Sequence, residues 1–165
     1  MAYLPEPSVV RMRRRGGAVV RGAGALYIGR RCTMGGWRLP DSDWSNPFSV
    51  AECGGSVQAA CARFSDYLRR DRADLVLRLG ELSGRELGCF CYDSADRASK
   101  VCECGARAAA CGHPQCHGDV LVAAWREWRD SLAPCPPPEA PRAFTIELSP
   151  DAVEALAELL AELEG

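Results

Sequence analysis

The sequence predicts an α/β fold: a small open sheet flanked by helices, with a zinc-binding insertion and a C-terminal helix. Three short segments have strand patterns, and longer segments with helical periodicity lie between and after them. At 165 residues, with 47% hydrophobic and 25% charged residues, the chain is long enough to bury one core. Six of the ten cysteines and both histidines fall between Cys89 and His117, a density of soft ligands that core packing does not require.

Three strands are predicted. Val9–Arg15 alternates apolar and basic residues, which indicates one half-buried strand, and Ala25–Ile28 is a short apolar run typical of a buried strand. Glu86–Cys91 is the third strand. Because side chains alternate along a strand, we expect Cys89 and Cys91 on the same face.

Three helices accompany these strands in a core domain of residues 9–130. Ser56–Arg70 has apolar residues at helical spacing and begins at a serine that can act as N-cap. A second helix is predicted from about Arg72 to Leu82. The third runs through Val120–Trp128, with Asp119 favourably placed at its positive N-terminal end.

The remaining segments have distinct compositions. Residues 92–115 form a cysteine-rich insertion without apolar periodicity, so a metal would supply the order that burial cannot. Residues 131–142 are a proline-rich, stiff linker. Residues 143–165 predict a short strand and an amphipathic, acidic helix, whose apolar stripe would pack on the core domain, on a partner, or on a second copy in a homodimer.

Hydropathy and charge set expectations for location and partners. No segment approaches the roughly 20 apolar residues of a membrane span and the start lacks a secretory signal, so we expect an intracellular, cytoplasmic protein without membrane contact. In that reducing environment, cysteines favour metal ligation, catalysis or core packing over disulfides. Residues 1–40 hold eight arginines against one acid, and these N-terminal arginines could contact nucleic acid or form a solvated strand face.

Four motifs in fixed order resemble a known family. They are Tyr27-Ile28-Gly29-Arg30, Trp44-Ser45-Asn46-Pro47-Phe48, Cys89-Phe90-Cys91 and Cys116-His117-Gly118-Asp119-Val120-Leu121. Over roughly residues 9–130 the chain resembles the domain of unknown function 4326 family, small proteins of phages, bacteria, large DNA viruses and some eukaryotes. The resemblance implies a site at these motifs without implying a reaction. The last two motifs usually lie a few residues apart in the family, which marks residues 92–115 as an insertion.

The insertion carries a candidate zinc site. Cys102-Glu-Cys104 and Cys111-Gly-His113 offer four soft ligands, the number that Zn²⁺ takes in a tetrahedral structural site. Cys116 could replace either Cys111 or His113. The alternative is a cysteine-bearing loop that holds no metal.

The family motifs carry a second candidate site, for which three interpretations remain open. Cys89 and Cys91 could hold a metal with Cys116 or His117, leaving an open position for water if the site is catalytic. A cysteine could instead be a nucleophile with His117 as its base and Asp119 orienting the imidazole or contacting substrate. In the third interpretation the cysteines pack in the core and Cys116 and His117 form the turn before the helix.

Residues near this site suggest a pocket for a small molecule. The backbone N–H groups at Gly118 could bind an anion together with Arg30 and Arg31, which follow a strand, and Asn46 could recognise an amide or a base edge. The sequence therefore predicts a metal-binding hydrolase or transferase for a nucleotide- or nucleoside-like ligand. The predicted catalytic residues are His117, Asp119, Cys89 and Cys91. The alternative is a non-catalytic, zinc-stabilised interaction module that binds a protein or nucleic acid. An enzyme needs a cleft that reaches His117.

Overall fold

The computed structural model describes most of the chain up to Leu132. The described residues are 4–15, 17–91, 101–108 and 110–132, with Val20 and Arg21 described in their backbone only. Contacts divide the chain into two units, Met1–Ala133 and Pro134–Gly165, and every described residue belongs to the first. The predicted tail (residues 143–165), the homodimer assigned to it and nearly all of the predicted linker lie outside the described residues.

The described residues form four strands, then two helices, a fifth strand and a third helix. They are β1 (Ser8–Arg11), β2 (Arg13–Arg15), β3 (Ala18–Arg21), β4 (Leu26–Tyr27), α1 (Val57–Asp71), α2 (Ala73–Leu77), β5 (Glu86–Cys89) and α3 (His117–Ser131), with 3₁₀ turns at Met34–Gly36 and Leu79–Leu82. No helix in these parts of the chain is long and apolar enough to cross a membrane.

A three-stranded parallel sheet in the order β1-β5-β4 forms the centre of the fold. Leu87 of β5 is fully buried and pairs with Val9 of β1 and Leu26 of β4. Parallel neighbours require crossover connections, and α1 and α2 lie in the connection between β4 and β5. The predicted α/β class with a small sheet and flanking helices is therefore confirmed.

The prediction of a single strand over Val9–Arg15 is wrong, because the alternating apolar and basic residues belong to two strands in different sheets. The break falls at Met12, which is buried and donates its backbone N–H to the carbonyl of Cys89 at 2.8 Å. A Cβ on Gly88 would lie 2.9 Å from the Met12 sulfur, so that glycine leaves the space Met12 occupies. Beyond Met12 the chain forms β2, which pairs antiparallel with β3 in a separate sheet.

The helices follow the predicted pattern with one interruption. The Ser56 hydroxyl accepts the N–H of Ala59 at 3.0 Å and caps α1, whose buried face includes Phe64. The predicted helix from Arg72 to Leu82 divides into α2 and the 3₁₀ turn at Leu79–Leu82. Within that turn, a Cβ on Gly80 would lie 2.9 Å from the Trp128 ring, so the segment packs closely against α3.

One hydrophobic core joins the sheet to the helices. It includes Ile28, Trp44, Cys61, Phe64, Leu75, Leu82, Leu87, Leu121 and Trp125. Cys61 is buried in this core, as its position in the helical pattern predicted. The core reaches Cys89 and Cys116, so its edge is also the place where β5 ends and α3 begins.

Candidate metal centres and the adjoining cavity

Three thiols meet where β5 ends and α3 begins. The Sγ atoms of Cys89, Cys91 and Cys116 all lie within 4.8 Å of one another, and those of Cys89 and Cys116 are 3.9 Å apart. Zn–S bonds of about 2.3 Å in a tetrahedron place two sulfurs about 3.8 Å apart. This group, called the thiol triad below, therefore has the spacing of three protein ligands on one metal ion.

The backbone brings the triad together differently from the sequence prediction. The strand ends at Cys89, two residues earlier than predicted, so alternation along a strand does not pair Cys89 with Cys91. Cys89 is buried, whereas Cys91 is exposed. Cys116 occupies the N-cap position of α3 and is also buried. The triad thus has a buried side formed by two thiols and an open side at Cys91.

Electrostatics favour ionisation of one member of the triad. Hydrogen bonds from the side chains of Cys116 and Cys91 hold the pKa of the Cys89 thiol well below its ordinary value of 9.0. The pKa of Cys116 is raised well above that value because its proton remains in the hydrogen bond to Cys89. Since the thiolate is the form that binds metal, Cys89 is the member best prepared as a ligand.

A second group lies in the insertion. The ligand atoms of Cys102, Cys104, Cys111 and His113 are all within 4.8 Å of one another, with 3.8 Å between Cys102 Sγ and His113 Nδ1. This group, called the insertion tetrad, could hold a metal ion with four protein ligands. Cys116, which the sequence offered as an alternative member, lies in the thiol triad instead.

A tight turn presents the first two ligands of the tetrad. The N–H of Cys102 donates to the carbonyl of Ala106 at 2.8 Å, and the N–H of Gly105 donates to that of Cys102 at 2.9 Å. Gly105 has φ +85°, a conformation that glycine adopts without strain. The backbone N–H of Cys104 lowers the pKa of the Cys102 thiol from 9.0 to about 6, which favours its ligating form.

The insertion is docked on the beginning of α1. The Glu103 carboxylate accepts the Val57 N–H and the Ser56 hydroxyl, each at 2.6 Å. A carboxylate is favourable at a helix N-terminus, and the Ser56 hydrogen bond lowers the pKa of Glu103. Gln58, the second residue of α1, donates its amide to the sulfur of Cys102.

A cavity of about 570 Å³ opens beside the thiol triad. All three triad residues line it, together with His117 and two exposed arginines that follow β4, Arg30 and Arg31. The remaining wall includes Tyr27, Phe90 and Asn46. The structure therefore brings a candidate metal group, an imidazole and two guanidinium groups to one space.

His117 is held in a defined protonation state. Its Nε2 lies 2.8 Å from the carbonyl oxygen of Ile28, and its ring contacts Phe64 edge to face at 5.9 Å. A carbonyl oxygen can only accept, so Nε2 carries the hydrogen and Nδ1 is left as an acceptor. Burial lowers the pKa of His117 below 6.5. The imidazole is therefore neutral at pH 7.

Two of the predicted binding residues have structural contacts of their own. The Asn46 side chain accepts the Phe48 N–H at 2.8 Å within its own loop and donates to the Ala60 carbonyl at 3.3 Å, which ties the loop to α1. A Cβ on Gly118 would lie 2.9 Å from Val9 Cγ2. Gly118 thus allows the start of α3 to approach β1 closely.

Asp119 closes the N-terminus of α3. Its carboxylate accepts the N–H groups of Gln115 at 2.8 Å and Cys116 at 3.3 Å. This places a negative charge at the helix end where the sequence suggested an external anion. Asp119 lines a separate cavity of about 670 Å³ between α1 and α3, and it does not line the cavity that contains His117.

Comparison with known proteins places these residues in a family. The family model described as Domain of unknown function (DUF4326) matches residues 10–127. The chain belongs to this family. Uncharacterized protein R718 of Acanthamoeba polyphaga mimivirus is 39% identical to this DUF4326 protein over 88 residues, which are 53% of the chain and 65% of that protein, slightly under two thirds of its length. No solved structure matches the chain.

Sequence reasoning missed several contacts that shape the site of this DUF4326 protein. Glu103 stands between two cysteines of the insertion tetrad, yet nothing local shows that its carboxylate reaches Ser56, 47 positions earlier. Gln58 looks like any polar helix residue until the fold brings it to Cys102. Phe90 could have been identified from the sequence as a contact residue. It is an aromatic residue between Cys89 and Cys91, and its own motif offers no partner for the ring.

Proposed function

We propose that this DUF4326 protein is a zinc enzyme, a hydrolase or transferase acting on a nucleotide- or nucleoside-like small molecule at the thiol triad. The observation that carries the proposal is that the triad, His117 and Arg30 line the same cavity. Its volume of about 570 Å³ lies within the range usual for small-molecule sites. The cavity reaches His117, and neither Trp44 nor Trp125 lines it. An interaction module would have no need for such a cleft.

The donor set of the triad fits zinc in a catalytic role. Three soft protein ligands leave one tetrahedral position, which is the pattern of catalytic rather than structural zinc sites. Because all three thiols line the cavity, a metal held by them would lie beside the space where a substrate would bind. A metal held there would supply Lewis acidity toward an oxygen of the substrate.

The chain's own residues supply binding and proton transfer. Arg30 and Arg31 carry guanidinium groups suited to a phosphate, which they can bind with paired hydrogen bonds. His117 is neutral and its Nδ1 is an acceptor. The imidazole can therefore take a proton from a water or hydroxyl nucleophile. Three further residues have structural roles beside the cavity. The start of α3 is held by Asp119 and Gly118, and the loop is held by Asn46.

The insertion tetrad would hold a second zinc ion with a structural role. Four protein ligands leave no open position, and the contacts of Glu103 and Gln58 attach the insertion to α1.

Thiolate ligands persist in a reducing compartment, which supports an intracellular, cytoplasmic location. The nine cysteines in the described part of the chain are all free thiols.

Nucleotide binding by the zinc-loaded protein tests the proposal. A panel of nucleoside mono- and diphosphates would be titrated by calorimetry against the wild type, His117→Ala and Arg30→Gln. We expect micromolar binding of at least one nucleotide, weakened about tenfold in Arg30→Gln because a charged hydrogen bond to phosphate is lost. We expect His117→Ala to abolish turnover of the bound nucleotide.

The control is Arg70→Gln, which removes an exposed guanidinium of α1 that lines neither this cavity nor the one beside Asp119. It should bind like the wild type. If no nucleotide binds, or if binding is indifferent to Arg30, the proposal is wrong and the non-catalytic, zinc-stabilised interaction module becomes the better account.

A further inference from the structure

A second cavity adjoins the one at the thiol triad. Its volume is about 830 Å³, and its lining includes Trp37, Arg38 and Arg31. Arg31 lines both cavities, so the two spaces adjoin at this residue. Each is large enough for one nucleotide. The residue that the two cavities share therefore carries a guanidinium, a group suited to a phosphate that links two nucleotides.

Aromatic rings form a row between the two cavities. The Phe90 ring lies 5.9 Å from that of Tyr27 and 5.4 Å from that of Trp37, edge to face in both cases. Phe90, which stands between Cys89 and Cys91, is 37% exposed and so presents part of its ring to solvent. Stacking on exposed aromatic rings is the general way in which proteins hold unpaired bases.

Positive charge borders the same row. The Arg14 guanidinium lies over the Trp37 ring, 5.3 Å from its centroid, and donates to the carbonyl of Gly36. Arg13 and Arg15, its neighbours on β2, are exposed. One carboxylate, that of Asp41, lines the second cavity, where it accepts the backbone N–H of Arg31. The whole chain has a net charge of −2, so these arginines form a local concentration of positive charge on this surface.

We infer that the substrate is a single-stranded nucleic acid. One nucleotide would lie in the cavity beside the thiol triad (the triad cavity) and the next in the cavity lined by Trp37 (the Trp37 cavity), with the phosphate between them on Arg31. The inference rests on the proposed function, because it extends the same site. A duplex does not fit this arrangement, since paired bases are stacked on each other and cannot reach Trp37 and Phe90. DNA and RNA share the bases and phosphodiester that these residues would recognise.

Fluorescence anisotropy with 5′-labelled oligo(dT) and oligo(U) eight-mers tests the inference on the zinc-loaded protein. We expect either or both single strands to bind at least about tenfold more tightly than the mononucleotide, and a duplex of the same length to bind more weakly. Trp37→Ala should weaken oligonucleotide binding about tenfold, the effect of one lost base stack, and leave mononucleotide binding unchanged. Trp37→Phe should retain most of the affinity.

Arg38→Gln is the second variant, chosen because it leaves the aromatic row intact if Trp37→Ala fails to fold. Because Arg38 lines the Trp37 cavity, the inference expects it to contact the phosphate that follows the nucleotide bound there. The variant should therefore reduce the slope of log affinity against log salt by about 0.7, the contribution of one phosphate contact on a single strand. Arg70→Gln should leave the slope unchanged.

The outcomes separate this inference from the proposed function. Mononucleotide binding without tighter oligonucleotide binding would overturn the inference alone, as would oligonucleotide binding that ignores Trp37 and Arg38 or favours duplex. Absence of both kinds of binding would overturn the inference and the proposed function together.

Discussion

The imidazole of His117 is joined to the backbone of Ile28 by a hydrogen bond of 2.8 Å between Nε2 and the carbonyl oxygen. Ile28 directly follows β4, and His117 is the first residue of α3, so 89 positions of sequence are bridged at the wall of the triad cavity. Both residues lie within residues 10–127, the part of the chain that the family model matches. The bond explains how a histidine at a helix start is held with its other nitrogen available as an acceptor.

The first prediction concerns the state of His117. Long-range ¹H–¹⁵N NMR correlation of the ring should show the Nε2–H tautomer at pH 7. Because burial lowers the pKa below the ordinary 6.5, the ring should remain mostly neutral at pH 6.5 and gain its proton only on further acidification. A hydrogen on Nδ1 alone would contradict the hydrogen bond to Ile28, and a ring mostly charged at pH 6.5 would contradict the lowering of its pKa by burial.

The second prediction concerns the close approach at Gly118. In Gly118→Ala the new Cβ would lie 2.9 Å from Val9 Cγ2 and 3.2 Å from Ile28 Cδ1. Val9 is β-branched and cannot easily turn away, so the variant should lose about 1 to 3 kcal/mol of unfolding free energy in urea denaturation. Alanine is otherwise preferred over glycine in a helix by at most about 1 kcal/mol. An unchanged or raised stability would show that α3 does not pack against β1 as closely as this.

Ala123→Gly is the matched control for Gly118→Ala, since Ala123 is an exposed position of the same helix. It should lose about 1 kcal/mol through the backbone preference alone.

The third prediction concerns metal content. The purified protein should carry two zinc ions per chain by mass spectrometry of the native protein, one for each group of ligands. Cys102→Ser with Cys104→Ser should retain one ion, and Cys91→Ser should weaken the other because it leaves two thiols in the triad. During chelator treatment the three-ligand site should release its zinc faster than the four-ligand site, since its open position admits the chelator.

Cys53→Ser is the control for metal content, because Cys53 lies in neither ligand group. It should retain both ions. Finding no zinc in the wild type, or equal loss from every cysteine variant, would refute two separate sites.

The fourth prediction concerns the docking of the insertion on α1. Ser56→Ala removes both the cap of the helix and the hydroxyl bonded to Glu103, so it should lower the free energy of unfolding by about 1 kcal/mol. Hydrogen exchange in residues 101–108 should accelerate. Glu103→Gln should accelerate exchange in the same segment, and the double variant should show less than the sum of the two effects because the residues share one bond. Additive effects would mean that Ser56 and Glu103 act independently.

Periodicity and spacing were sufficient for much of the architecture. The helical repeat of α1, its serine cap and the glycine-bounded strand at β4 are local properties, since each depends on residues within a turn or two of one another. The ligand-rich composition of the insertion likewise identified four residues whose ligand atoms lie within 4.8 Å. Local sequence carries these features because propensity, capping and ligand spacing act over short separations.

Pairings between distant segments required the three-dimensional structure. Alternation through Met12 is the same whether β1 and β2 are one strand or two, and only the space left by Gly88 decides that the chain changes sheets there. Cys116 stands near the insertion in sequence but lies with Cys89 and Cys91, since the packing of α3 on the sheet brings their sulfurs together.

The sequence determined local features and the tertiary structure determined distant pairings, because the interactions behind the two act over different separations along the chain. The chain's own residue order determined which groups are chemically capable: ten cysteines, two histidines and an arginine-rich first quarter. Which of them share a site was decided by tertiary packing, because burial of Ile28, Phe64 and Leu121 in one core positions the ends of β4, β5 and α3 together. His117 and Arg30 line one cavity and Asp119 another for that reason, although Asp119 is only two residues from His117.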